Sequence, residues 1–216
     1  YLDSDRIPIF NPIEDFLFGL DVRWDGHDRI RELAARVPCN NRHWADLFYR
    51  WFLNMVAHWR QTDRKYANCT VPLLVGPQAY RKSTFCRSLL PPELQAYYTD
   101  RIDFSNKRDA EISLNRFALI NMDEFDQNRV NQQAFLKHIF QKPIVNVRRP
   151  HGTATQEMRR YASFIGTSNH KDLLTDTSGS RRYIVVDVTG PIDCSPIDYE
   201  QLYACLLYTS DAADEA

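Results

Sequence analysis

No apolar run in the 216-residue chain approaches the roughly twenty residues that a membrane-spanning helix needs. The first residues also lack the basic-then-apolar pattern of a secretory signal. A membrane-bound or exported chain is therefore not expected, and the expected location is the cytoplasm. Cysteines are few and scattered, five in all with no C-x-x-C spacing. That pattern implies reduced thiols and neither a disulfide framework nor a zinc site. There is no internal repeat and no low-complexity segment. Neither sign of charge dominates, with 27 basic against 28 acidic residues and a net charge of −1. Hydrophobic residues at 44% and charged residues at 25% are ordinary soluble usage. The length suits one α/β domain, or one domain with a helical appendage. Tyr1 is not an initiator methionine, and the chain is expected to be a fragment.

What is there is organised around Val71-Pro-Leu-Leu-Val-Gly-Pro-Gln-Ala-Tyr-Arg-Lys-Ser-Thr-Phe-Cys-Arg-Ser-Leu-Leu90, a short apolar strand, a turn and an amphipathic helix. This is the anatomy of a phosphate-binding loop. The Walker A pattern G-x-x-x-x-G-K-[ST] holds phosphates on backbone N–H groups, reaches the β/γ-phosphates with lysine and binds Mg²⁺ with the hydroxyl. Gly76, Lys82 and Ser83 fit, and the loop from Gly76 through Pro77, Gln78, Ala79, Tyr80 and Arg81 to Thr84 is the candidate ATP site. Arg81 stands where the second glycine belongs. A side chain there must point away from the phosphates or add charge to them.

Two later segments end an apolar run in polar residues, and a third sets polar residues ahead of one. Arg116 to Asp126 ends in adjacent carboxylates, a Walker B pattern in which Asp123 serves the Mg²⁺ shell and Glu124 takes a proton from attacking water. Tyr161-Ala-Ser-Phe-Ile-Gly-Thr-Ser-Asn169 delivers Asn169, suited to orient that water or touch the γ-phosphate. Gly179-Ser-Arg-Arg182 sets Arg181 and Arg182 ahead of another strand. Singly, each reads equally as a solvated strand end. In this order they compose a phosphoryl-transfer site.

Before the loop, residues 1–66 read as an N-terminal helical segment. Trp44, Leu47, Phe48, Trp51, Phe52, Met55, Val56 and Trp59 mark a buried helix from about Arg42 to Arg60, and Trp24-Asp25-Gly26 marks a turn between helices. Residues 67–204 read as the ATPase core. Within it, Tyr97 to Asp100 suggests a short strand, Lys107 to Glu111 a solvated helix and Asn131 to Gln141 a second helix. From Gln127 to Ala162, seven Arg or Lys face one acidic residue, Glu157, a local charge of +6. Ile144 to Tyr161 flanks a Pro-His-Gly turn with strand formers, which predicts a hairpin. Arg148, Arg149, His151, Arg159 and Arg160 on it are the candidate nucleic-acid contacts, suited to phosphates and not to base reading. A plain solvated face is the alternative.

Cys205 to Glu215 resembles a translated sequencing-library adapter, so residues 205–216 are expected to be a foreign tail. Without it the net charge becomes +2.

Trp24-Asp-Gly with Arg29, the 76–85 loop, Asp123-Glu124, Phe164-Ile-Gly-Thr-Ser-Asn169 and Gly179-Ser-Arg-Arg182 together resemble the virulence-associated E family, from about Asn11 to Ala204. The resemblance implies a P-loop NTPase with a RecA/AAA+-like α/β core, similar to superfamily 3 helicases and often joined to a primase. It also implies ATP and Mg²⁺, a homo-oligomeric ring and work on single-stranded DNA in phages, plasmids and other mobile elements. Members usually carry Gly-x-Gly-Lys-Ser in the loop, and Ala79-Tyr80-Arg81 departs from it. The expected activity is ATP hydrolysis by a replicative helicase or primase-helicase. The alternatives are a nucleotide-gated loading factor with little turnover, a ring scaffold for a primase, and a small-molecule kinase. Against the last stand the sequence's lack of a lid-like arginine cluster and its basic hairpin.

Overall fold

The computed structural model describes residues 11–20, 23–60, 67–125, 130–147, 155–170 and 180–214. Three helices come first, α1 (Pro12–Phe18), α2 (Arg29–Ala35) and α3 (Trp44–Arg60). Each short helix starts where its capping residue dictates. Asn11 accepts hydrogen bonds from the Ile13 and Glu14 amides ahead of Pro12, and Asp28 accepts from the Arg31 amide. Between them Gly26 takes φ +89°, in the turn expected at Trp24-Asp25-Gly26. The aromatic stripe of α3 is buried throughout, its Trp44, Phe48, Trp51, Phe52, Met55, Val56 and Trp59 forming the centre of one hydrophobic core.

The remainder is α/β. Its elements are β1 (Val71–Val75), α4 (Lys82–Ser88), β2 (Tyr98–Thr99), α5 (Lys107–Arg116), β3 (Leu119–Met122), α6 (Val130–Gln141), β4 (Ile144–Val147), β5 (Gln156–Arg159), β6 (Ser163–Ser168), β7 (Tyr183–Asp187) and α7 (Tyr199–Asp214). Five strands form a parallel sheet in the order β2-β3-β6-β1-β7. Both faces of a parallel sheet must be covered, and alternation of side chains divides the work. Leu74, Leu119 and Ile165 face the core shared with α1, α2, α3, α4 and α7. Leu73, Val75, Ile120, Met122 and Phe164 face a second core under α5 and α6.

The first helices are tied to the sheet by polar bonds as well as burial. Buried Asn68 donates from Nδ2 to the Trp51 carbonyl and to Ser163 Oγ, joining α3 to the start of β6. Tyr199 and Tyr203 of α7 donate to the Ser88 and Leu89 carbonyls at the end of α4. α7 runs on through the segment expected to be foreign, with Cys205 and Leu206 buried. Apolar residues at helical spacing find a core whatever their origin.

The basic segment forms the expected hairpin, β4 pairing antiparallel with β5 from Ile144↔Arg159 to Val147↔Gln156. One of its arginines corrects the sequence expectation. Arg160 is 1% exposed and cannot reach a nucleic acid. It donates from Nε to the Ala162 carbonyl and from one terminal nitrogen to the carbonyls of Ile139, Phe140 and Lys142. Those last carbonyls close the C-terminus of α6, where a helix leaves acceptors unsatisfied and favours a cation. Burial pushes the guanidinium down to about 9, so it stays charged at neutral pH. Arg159 is exposed and paired with Glu14 at 2.9 Å. Arg148, Arg149 and His151 lie outside the described residues.

Among the described residues, no helix is long and apolar enough to cross a membrane.

Candidate nucleotide-binding site

Ligands of open α/β sheets bind beyond the carboxyl ends of the strands. Three neighbouring strands end together here. β1 runs into Gly76 and the 76–84 loop, β3 into Asp123-Glu124, and β6, which lies between them, into Asn169. Their tips enclose a cleft of about 230 Å³ lined by Gln78 to Thr84, Asp123, Glu124 and Thr167 to Asn169.

The loop's shape is set by backbone positions that glycine ordinarily fills. Ala79 and Arg81 take φ +71° and +60°, Arg81 in the left-handed region immediately before α4. These are the two positions of the missing Gly-x-Gly. A left-handed L-residue costs about 1–2 kcal/mol, so the chain keeps the conformation and bears the strain. Gly76 is retained where a Cβ would meet the Val188 carbonyl oxygen at 2.9 Å.

Lys82, the first residue of α4, is 7% exposed. Its ammonium donates to the Gly76 carbonyl at 2.6 Å, the Pro77 carbonyl at 2.8 Å and Asn169 Oδ1 at 3.1 Å, using all three protons. Burial lowers its pKa, and the charge of Asp123 opposes that shift. Ser83 Oγ donates to Asp123 Oδ1 at 3.0 Å, and Thr167 Oγ1 donates to the same oxygen. Glu124 follows with φ +49°, a further left-handed residue at the cleft.

The carboxylate and hydroxyl at Asp123 and Ser83 are hard oxygen donors. They suit Mg²⁺, which takes few protein ligands and completes its shell with water and substrate phosphates. No cluster of three or more His, Cys, Asp or Glu able to hold a metal occurs among the described residues.

The structure thus gathers Lys82, Ser83, Asp123, Glu124 and Asn169 with the loop. It does not gather the arginines. Arg181 and Arg182 precede β7, and β7 pairs parallel with β1 so that Tyr183 lies beside Val71 and Asp187 beside Val75. Their end of the sheet is opposite the cleft, a strand length of roughly 16 Å away at about 3.3 Å per residue.

Sequence reading missed Thr167. Its alternation with Ile165 puts it on the α4 face of β6, which was visible, but a hydroxyl inside an apolar strand carries no motif.

The sequence matches the family described as Virulence-associated protein E-like domain over residues 19–211. Among curated proteins no relative matches. Solved structures of the apo NrS-1 C-terminal region share the fold. One aligns with a TM-score of 0.55 at 13% identity, over 87% of this chain and 45% of that one. Another aligns with a TM-score of 0.53 at 14% identity, over 90% and 46%. The chain therefore spans less than half the length of the NrS-1 region it matches.

Proposed function

The chain belongs to the virulence-associated protein E-like family, and from that membership we propose that it is the ATP-hydrolysing core of a mobile-element DNA-replication motor. The motor is of helicase or primase-helicase type and acts on single-stranded DNA. The observation carrying this reading is the convergence of Lys82, Ser83, Asp123, Glu124 and Asn169 on one cleft at three strand ends. We read that convergence as the site of a RecA/AAA+-like P-loop NTPase.

In this reading the loop from Gly76 to Thr84 wraps the phosphates, and Lys82 exchanges its carbonyl and amide acceptors for β/γ-phosphate oxygens. The exchange suits a lysine whose charge is already desolvated, because a phosphate returns more than three neutral acceptors can. Ser83 and Asp123 are the residues that would hold Mg²⁺, Asp123 through its water shell, and a cation bound there would supply charge neutralisation to the transferring phosphoryl. Glu124 accepts the proton of the attacking water. Asn169, hydrogen-bonded to Lys82 at 3.1 Å, loses that partner when the lysine turns to phosphate and so registers the γ-phosphate. Arg182, or Arg181, serves the neighbouring subunit of a homo-oligomeric ring, a role compatible with its distance from its own cleft. Arg148, Arg149 and His151, with Arg159, contact DNA phosphates.

The left-handed Ala79 and Arg81 favour a second reading, a nucleotide-gated loading factor that binds ATP and turns it over little. Steady-state hydrolysis by the full chain, with and without single-stranded DNA, separates the two. DNA-stimulated turnover supports the motor, nucleotide binding without turnover supports the loading factor, and no nucleotide binding rejects both.

A further inference from the structure

Thr167 has no role in the scheme above, yet it makes one of two hydrogen bonds to the Asp123 carboxylate. It is 2% exposed, on a strand paired on both sides, and its hydroxyl donates to Asp123 Oδ1, the oxygen that also accepts from Ser83. Both bonds fall on one oxygen, and Asp123 Oδ2 has no protein partner among the described residues. The two donors differ in what happens next. Resting on the Mg-ATP reading, Ser83 Oγ must also turn a lone pair to the cation, whereas nothing asks Thr167 to move. Thr167 is also the stiffer, being β-branched at χ1 and fixed in a central strand. We infer that Thr167 is a positioning residue for the divalent cation: it keeps Oδ1 engaged with and without ligand, and so keeps Oδ2 directed at the water shell of a nucleotide-bound Mg²⁺.

A hydrogen bond to a charged group commonly carries about a tenfold effect or more. A freely rotating Asp123 spends that preference on orientations that do not meet the cation. Thr167→Val keeps the shape and removes the hydroxyl, and Thr167→Ser restores it.

The test is calorimetric binding of ADP to the full chain across a Mg²⁺ series and in EDTA, which involves no turnover. Thr167→Val is expected to raise the Mg²⁺ concentration at half effect about tenfold, Thr167→Ser to return it to within about threefold of wild type, and all three to share one affinity in EDTA. That shared affinity verifies that each variant is folded. A Thr167→Val series overlaying wild type, or a Thr167→Ser series matching Thr167→Val, overturns the inference alone. A wild-type chain whose ADP binding ignores Mg²⁺ overturns the inference together with the reading beneath it.

Discussion

Ser83 Oγ donates a 3.0 Å hydrogen bond to Asp123 Oδ1 across forty residues of chain, fastening the first turn of α4 to the end of β3. The bond closes one side of the cleft, and Lys82 closes the other by reaching Asn169 after β6. Loop, acid pair and polar tip are thus held in mutual contact through the Ser83–Asp123 and Lys82–Asn169 hydrogen bonds.

The proposed function makes Glu124 the base. Glu124→Gln should bind nucleotide within about threefold of wild type, because it keeps size and hydrogen bonding. Its hydrolysis should fall by about 10²–10⁴. Calorimetry beside steady-state kinetics checks both halves, and wild-type turnover in the variant removes Glu124 from the role.

Arg182 stands at the end of the sheet opposite the cleft, and the proposed function has it act on a neighbouring subunit. Arg182→Ala should lose much of the roughly 10³–10⁵ that a trans arginine supplies in related phosphoryl transfer. Mixed with an inactive Glu124→Gln chain it should regain partial activity, since some interfaces then join an intact Glu124 to an intact Arg182. Co-assembled mixtures without recovery would argue against a shared site.

Arg160 and Arg159 are adjacent but should behave oppositely. Arg160→Met strands the carbonyls at the end of α6 at about 1–3 kcal/mol for each one left unsatisfied. A loss of about 3 kcal/mol or more should lower the melting temperature by roughly 6 °C or more. Arg159→Ala removes a half-exposed pair with Glu14, for which about 1 kcal/mol or less is expected. Thermal melts of the two variants decide, and equal melting would show that the burial of Arg160 contributes nothing.

Arg81 bears left-handed strain at the head of α4. Arg81→Gly should relieve it and raise stability by about 1 kcal/mol after the entropy of a freer unfolded chain is subtracted. Arg81→Val, β-branched, should lower stability. Denaturant titration of the pair gives the sign, and two variants shifted in the same direction would contradict it.

Much of this was legible in sequence because it is periodic. The stripe from Trp44 to Trp59, the apolar runs of β1, β3 and β6, and the strand formers around the hairpin each carry a period that one element satisfies. The sheet order is not periodic information: β6 slips between β1 and β3, although β3 follows β1 in the chain. Arg160 was misread because an arginine in a basic run is nearly always solvated, and only the end of α6, twenty residues earlier, explains its burial. The loop was legible from Gly76, Lys82 and Ser83, whereas the left-handed angles at Ala79 and Arg81 run against residue preference and leave no mark in the sequence.

The central claim, that this cleft is an ATP site held by Lys82, is tested most directly by calorimetric titration of wild type and Lys82→Ala with Mg-ATP. Saturable binding to wild type and at least a tenfold loss in the variant are expected, because no other group lining the cleft brings an ammonium to Gly76, Pro77 and Asn169. Equal affinity in the two proteins would contradict it.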